Sequence, residues 1–225
     1  MANKKLCIVI PYRDRRDHLE SLLPRLKACL IEDNIQHQIL VVEQESGKKF
    51  NRGMIKNIGA KWAIENKFDY VCFHDVDMVP VISQIDYSYE KGAVHLAVEV
   101  EQFGYKLPYA GFFGGVLTIT CEDLIKMNGY YNDFWSWGAE DDDFYERCVY
   151  TGVKTTRKKC RFNSFNHDRD IIQEDYQRNL ASLSFLRQNP SFYIRSGINT
   201  LKYEILEDTD TNFQNIDFKI LKVSI

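Results

Sequence analysis

Residues 135–143 read Trp135-Ser136-Trp137-Gly138-Ala139-Glu140-Asp141-Asp142-Asp143, two indoles and a glycine ahead of four consecutive acids. Adjacent carboxylates repel one another, so a folded chain keeps four together when they are solvated or when it uses them. Indoles beside carboxylates suit a sugar: the ring face stacks on C–H surface, and the acids accept hydrogen bonds from hydroxyl groups. A second acidic pair, Asp75 and Asp77 in His74-Asp75-Val76-Asp77, ends an apolar run far upstream. Two carboxylates one residue apart at a strand end suit a hard divalent cation bridging to a diphosphate. Oxygen donors select Mg²⁺ or Mn²⁺, and an added imidazole favours Mn²⁺. Together the two motifs point to a metal-dependent enzyme acting on a nucleotide-sugar.

Cations lie where such a ligand needs them. Pro11-Tyr12-Arg13-Asp14-Arg15-Arg16 follows the first apolar run, and Phe50-Asn51-Arg52-Gly53 opens a helical pattern. Guanidinium groups pair bidentately with phosphate, and helix N-termini favour anions. Any one of these arginines reads better as a surface residue; their concentration in two loops is what marks them. His167, in Asn166-His167-Asp168, by itself reads as a packing or surface histidine rather than as a ligand.

The elements that must position these residues follow from periodicity. Leu6-Cys7-Ile8-Val9-Ile10 is a continuous apolar run and reads as a buried strand, as do residues 39–42 and 70–73. Between them, Leu19, Leu22, Leu23, Leu26 and Leu30, then Met54, Ile55, Ile58 and Trp62, recur at helical spacing. Strand–helix–strand–helix–strand predicts a parallel sheet with helices on its faces. In such sheets ligands bind beyond the carboxyl ends of the strands, which is where Asp75 and Asp77 fall. Beyond residue 80, short strands are expected at 94–98 and 115–119. A helix should start at a capping box of Thr120 and Asp123 and end near Gly129. Another should run from Glu140 to Thr151, closed by Gly152. Residues 201–206 and 218–223 read as late strands, in the pattern of a hairpin added to the sheet. The helix dipole accounts for one or two acids at the start of the 140–151 helix, but not for four beside paired indoles.

Composition bounds the alternatives. The chain has 225 residues, 44% of them hydrophobic, which suits one α/β domain. Lys+Arg 29 against Asp+Glu 32 leaves a net charge of -3 and gives no electrostatic reason to expect nucleic acid. Cys7, Cys29, Cys72, Cys121, Cys148 and Cys160 form no CxxC pair, and several sit inside apolar runs. Free, buried thiols and a reducing compartment are expected. No apolar stretch approaches membrane-spanning length, so a soluble, cytoplasmic protein with no transmembrane segment is expected.

Five pieces, residues 11–15, 50–52, 75–77, Phe113-Gly114-Gly115-Val116 and 135–143, resemble the β-1,4-galactosyltransferase family in order and nearly in spacing. Gly197-Ile198-Asn199-Thr200-Leu201-Lys202-Tyr203 is similar to a segment near that family's C-terminus. The likeness runs from about Val9 to Tyr203, and the Trp-x-Trp-Gly-x-Glu-Asp-Asp motif is its most specific part. Phe144-Tyr145 and the His167-Asp168 stretch are similar to the branch that galactosylates xylose.

The resemblance implies a GT-A fold, a Rossmann-like mixed sheet flanked by helices. It would form one domain over 1–225, with a nucleotide-binding half (1–80) and an acceptor-binding half (81–225). It implies an inverting, Mn²⁺-dependent transfer (Mg²⁺ being the other candidate) of galactose from UDP-galactose to a saccharide hydroxyl in a β-1,4-type linkage. Asp77 and His167 would ligate the metal, with Asp75 on the ribose or beside the metal. Pro11, Arg13, Arg15, Phe50, Arg52, Val76 and Gly115 would line the donor, and Trp137 would close over it. Glu140, Asp142, Tyr109, Phe112 and Tyr176 would meet the acceptor, with Asp141 the general base. An inverting transfer needs one base and no covalent intermediate, so the lack of a Ser/His/Asp or Cys/His arrangement is no objection.

The chain departs from the family pattern at several places. Ser136 and Ala139 replace glycines around Trp137, Ser164 replaces a methionine metal ligand, and Gln102 replaces a lysine near the diphosphate. Phe112 replaces a tyrosine that restricts the donor, keeping its bulk but losing the hydroxyl. An N-acetylgalactosaminyltransferase and a catalytically silent sugar-binding module are the alternatives. A bacterium building a surface glycan is the expected setting.

Overall fold

β1 (Leu6–Tyr12) is buried along all but its last residue, as its apolar run predicts. The computed structural model describes residues 4–165 and 172–225. α1 (Arg16–Glu32) leads to β2 (His37–Gln44), and α2 (Arg52–Glu65) leads to β3 (Tyr70–His74). β1 pairs in parallel with both β2 and β3. Successive side chains of β1 point to opposite faces. Leu6, Ile8 and Ile10 join the core that holds Leu22, Leu26 and Leu30 of α1, whereas Cys7 and Val9 join the one that holds Ile55 and Ile58 of α2. α2 lies close against the sheet because Gly59 has no side chain: a Cβ there would come 2.3 Å from Val9 Cγ1.

The second half changes character, as expected. β4 (Met78–Pro80), β5 (Ala93–His95), β6 (Glu99–Val100) and β7 (Val116–Thr120) are short. Then come α3 (Cys121–Met127), α4 (Glu140–Thr151), β8 (Thr155–Arg157), β9 (Arg161–Ser164), α5 (Gln173–Gln188), β10 (Glu204–Phe213) and β11 (Ile216–Ser224). Eight strands form one mixed sheet in the order β10-β11-β2-β1-β3-β7-β5-β8, and β4-β9-β6 form a small second sheet. β7 runs antiparallel to β3 and β5, so the parallel character of the first half ends at β3.

Three features differ from expectation. α5 was not anticipated: its buried residues Asp175, Asn179, Leu183 and Leu186 have helical spacing, but half are polar, so no apolar stripe shows. The box at Thr120 is half made. Its hydroxyl accepts from Asp123 N, but the Asp123 carboxylate takes the Thr120 hydroxyl proton and Gly92 N–H rather than Thr120 N–H. β10 runs longer than the 201–206 segment, and its acidic, exposed edge shows no alternation to read. All six cysteines are buried, free thiols. Among the described residues no helix is long and apolar enough to cross a membrane.

Candidate active site

The N-terminal turn of α2 is built to present two cations. Asn51 caps the helix, its carboxamide oxygen accepting from Met54 N–H at 2.9 Å while its nitrogen donates to Asn132 O at 2.7 Å. Arg52 follows directly. Its guanidinium donates to Glu140 Oε1 at 2.9 Å and lies 3.8 Å from Asp75 Oδ2. One turn on, Lys56 is fully buried, with Nζ 3.4 Å from Asp75 Oδ1 and 3.6 Å from Asp141 Oδ1. Two helix cations therefore hold three carboxylates, one from the end of β3 and two from the first turn of α4.

The four acids of α4 divide by direction. Asp141 lies over Gly114, where a Cβ would come 2.2 Å from its Oδ2, so the glycine makes room for the carboxylate. Asp142 accepts from the Tyr109 hydroxyl at 2.8 Å. Glu140 is held by Arg52. Asp143 turns into the interior, where it accepts from Arg147 Nε at 2.8 Å with both side chains fully buried. Arg147 also donates to the carbonyls of Tyr193 (2.7 Å) and Ser196 (2.8 Å). Asp143 is thus part of the scaffold, and three acids face the site.

The environments push neighbouring carboxyls apart. Burial drives Asp141 up to about 7; Glu140 and Asp75 add to this, while Lys56 and Arg52 oppose it. Burial also disfavours the Asp75 carboxylate, but Lys56 and Arg52 outweigh it and hold it below its ordinary value. Asp75 stays an anion while Asp141 is poised to gain or lose a proton near neutrality, a division of labour suited to acid–base work. Asp141 Oδ1 has no hydrogen-bond partner among the described residues.

Two cavities meet here. The smaller, about 180 Å³, is lined by Pro11, Arg13, Arg15, Phe50 and Val76. The larger, about 360 Å³, is lined by Tyr109, Phe112, Gly115 and Trp137, by Glu140, Asp141 and Asp142, and by Tyr176 of α5. Arg52, Asp75 and Asp77 line both. Every site residue expected from the sequence lies in one cavity or the other, except His167, which falls outside the described residues. In the smaller cavity the Arg13 guanidinium sits 5.1 Å from the Phe50 ring centroid and donates to Lys48 O at 2.8 Å. In the larger, the Trp137 and Tyr176 rings lie 5.4 Å apart. Ser136 N–H donates to Phe50 O at 2.8 Å, tying the tryptophan loop to the wall of the smaller cavity.

Asp77 stands at the junction with carboxylate oxygens, a donor type suited to Mn²⁺ or Mg²⁺. Asp75 is engaged by Arg52 and Lys56, and Asp77 stands two residues on, on the walls of both cavities. Among the described residues no three His, Cys, Asp or Glu side chains gather as a metal site. Asp77 carries a donor of the type such a cation requires, and His167, the other ligand the sequence names, lies outside the described residues.

Sequence reasoning missed Lys56 and His95. Lys56 sits between Ile55 and Gly59 on the buried face of α2, and a lysine on such a face is the signal that could have found it. His95 is buried and meets Gly114 O at 2.8 Å through Nε2. Burial pushes its imidazole down to about 4, so the ring is neutral and Nε2 carries the proton that the carbonyl accepts. It fixes the strand end on which Asp141 rests.

Residues 1–89 match the N-terminal region of glycosyl transferase group 7, and residues 94–169 match the N-terminal domain of galactosyltransferase. The chain is 32% identical over 210 residues to beta-1,4-galactosyltransferase 1 of Bos taurus, covering 90% of this chain and 51% of that protein. It is 32% identical over 222 residues to beta-1,4-galactosyltransferase 6 of Rattus norvegicus, covering 96% and 57%. The chain thus spans about half the length of these relatives. The catalytic domain of Drosophila beta1,4galactosyltransferase 7, solved with xylobiose, superposes with a TM-score of 0.82 at 27% identity, over 99% of this chain and 94% of that one. GalNAc-T7, at 12% identity and a TM-score of 0.59 over 82% of this chain and 48% of that one, shares the fold alone. The architecture is GT-A, and with both regions matched in order across most of its length, the chain belongs to the β-1,4-galactosyltransferase family.

Proposed function

We propose that the chain transfers galactose from UDP-galactose to a saccharide hydroxyl, with inversion, in a Mn²⁺-dependent reaction forming a β-1,4-type linkage. The observation that carries this reading is the junction of the two cavities, with Asp141 near neutrality on one side and Arg52, Asp75 and Asp77 shared between both. A Drosophila relative of 27% identity was solved as a mutant with manganese, UDP-Gal and xylobiose, which supports the same ligand classes here.

The smaller cavity takes the nucleotide. Phe50 and Arg13 offer a flat apolar and cationic slot for the base, beside Pro11 and Val76. Arg15 and Arg52 face the diphosphate. Asp77 and His167 would hold Mn²⁺, which neutralises charge on the diphosphate leaving group. All of the smaller cavity comes from residues before 80, and most of the larger comes from residues after it. That division supports a nucleotide half and an acceptor half within one domain.

In the larger cavity Trp137 and Tyr176 supply aromatic faces for sugar rings, and Tyr109, Glu140 and Asp142 supply hydrogen-bonding groups. Phe112 fills space beside Tyr109, their ring centroids 5.6 Å apart, and its bulk favours galactose over its N-acetylated counterpart. The acceptor hydroxyl gives its proton to Asp141 as its oxygen bonds to C1 of the galactosyl group. The C1–oxygen bond to UDP breaks on the opposite face, and the electron pair leaves with UDP. Six buried free thiols fit a reducing compartment such as the cytoplasm.

The test is UDP release with Mn²⁺ across a panel of UDP-sugars and saccharide acceptors. Acceptor-dependent release from UDP-galactose is expected. UDP binding without turnover on any acceptor would instead favour a silent sugar-binding module.

A further inference from the structure

α5 does more than line the larger cavity. Asp175, at its first turn, is 1% exposed. It accepts from the Ser136 hydroxyl at 2.6 Å, from Lys49 Nζ at 2.7 Å and from Arg178 at 2.6 Å. One turn on, Asn179 Nδ2 lies 2.9 Å from Trp135 O, 3.2 Å from Trp137 O and 3.2 Å from Gly138 O. The whole tryptophan loop is therefore gripped by two polar side chains on one face of one helix.

The loop needs holding. Ser136 (φ 67°) and Ala139 (φ 79°) adopt left-handed backbone conformations that cost a residue with a side chain free energy. Gly138 (φ 103°) passes so near α5 that a Cβ would come 2.9 Å from Tyr176 Cδ2. A loop strained at two positions keeps its shape when contacts outweigh the strain. The buried Asp175 carboxylate, balanced by Lys49 and Arg178, is a strong acceptor for that purpose.

We infer that Asp175 and Asn179 are positioning residues that hold Trp137 over the larger cavity, with the Ser136 hydroxyl on Asp175 as the latch that fixes the loop in this shape. The latch is a property of the chain itself. Its kinetic consequence rests on the reading of Trp137 as a wall of the sugar site.

The test is hydrogen–deuterium exchange over residues 134–139 of the whole protein, combined with steady-state kinetics, for Ser136→Ala, Ser136→Gly and Asp175→Asn. Both serine variants remove the hydroxyl, and glycine also removes the strain, so neither threatens the fold. Exchange of the Ser136 amide, which is bonded to Phe50 O, should speed up by about tenfold or more in both, the scale of a hydrogen bond to a charged group. KM for donor and acceptor should rise several-fold, while the pH dependence of turnover set by Asp141 stays in place. Asp175→Asn should show the same direction of change. Exchange within about twofold of the parent in both serine variants, well short of a charged hydrogen bond, would overturn the inference. So would faster exchange with KM and turnover unchanged. If the parent protein transfers no sugar at all, the functional reading fails, and the exchange result still decides the latch.

Discussion

Lys56 Nζ lies 3.6 Å from Asp141 Oδ1, inside a site from which Lys56 itself is sealed off from solvent. A buried ammonium at this distance favours the carboxylate form of Asp141, while burial and the neighbouring acids favour the protonated form. The balance leaves Asp141 at about 7. The lysine therefore sets the pH at which the proposed base becomes available.

Lys56→Met should shift the acidic limb of the pH–rate profile to higher pH. Removing the cation removes the main force lowering Asp141, so its proton is held more tightly. The limb should move by roughly one pH unit or more, and the rate at neutral pH should fall accordingly. Rates measured from pH 5.5 to 9 check this; an unmoved limb would detach Lys56 from the titration of Asp141.

Asp77→Ala should remove Mn²⁺-dependent UDP binding. Calorimetric titration of UDP with and without Mn²⁺ reads this directly. The metal increment should vanish in the variant, and full retention would place the cation elsewhere. Thermal unfolding of the variant provides the control, showing that it is folded at the temperature of the titration.

Arg147→Ala should unfold the protein readily. It strands the Asp143 carboxylate in a dry interior, and breaking a buried pair this way costs about 3–5 kcal/mol. Burial already pushes Asp143 up to about 6 against the pull of Arg147. Without the arginine its folded-state value rises further, so the stability deficit should be largest above pH 6 and shrink in acid, where the carboxyl is neutral. Denaturant unfolding at pH 5 and pH 8 tests the sign.

Much of this was open to reading from the sequence, and the gaps have physical causes. β1, α1, β2 and β3 show through their buried apolar runs and stripes, and α2 shows through Met54, Ile55 and Ile58 although Lys56 and Asn57 share its buried face. The 140–151 helix shows because Phe144 and Cys148 repeat at helical spacing before Gly152. The smaller cavity could be read because its residues follow β1 and β3 or open α2, whereas Tyr109, Phe112 and Tyr176 of the larger came from the family resemblance alone. α5 hid because its buried face is half polar, Asp175 and Asn179 being turned towards the tryptophan loop. Lys56 hid because burial of a charge depends on partners 19 and 85 positions further along the chain, Asp75 and Asp141. Asp143 stands in the same acidic run as Asp141, and only its pairing with Arg147 separates scaffold from site.

Asp141→Asn, measured for galactose transfer and for Mn²⁺-dependent UDP affinity in the same preparation, isolates the proposed base. Asparagine keeps the shape but cannot take the proton, so turnover should fall by about 10²–10⁴ with UDP affinity unchanged. Because Asp141 is raised in the folded state, the stability tied to its protonated form is lost as the pH rises through about 7. The variant should therefore be at least as stable as the parent at pH 8. Turnover within about threefold of the parent, far below the contribution of a general base, would contradict the assignment of Asp141 and with it the reaction proposed for the cavity junction.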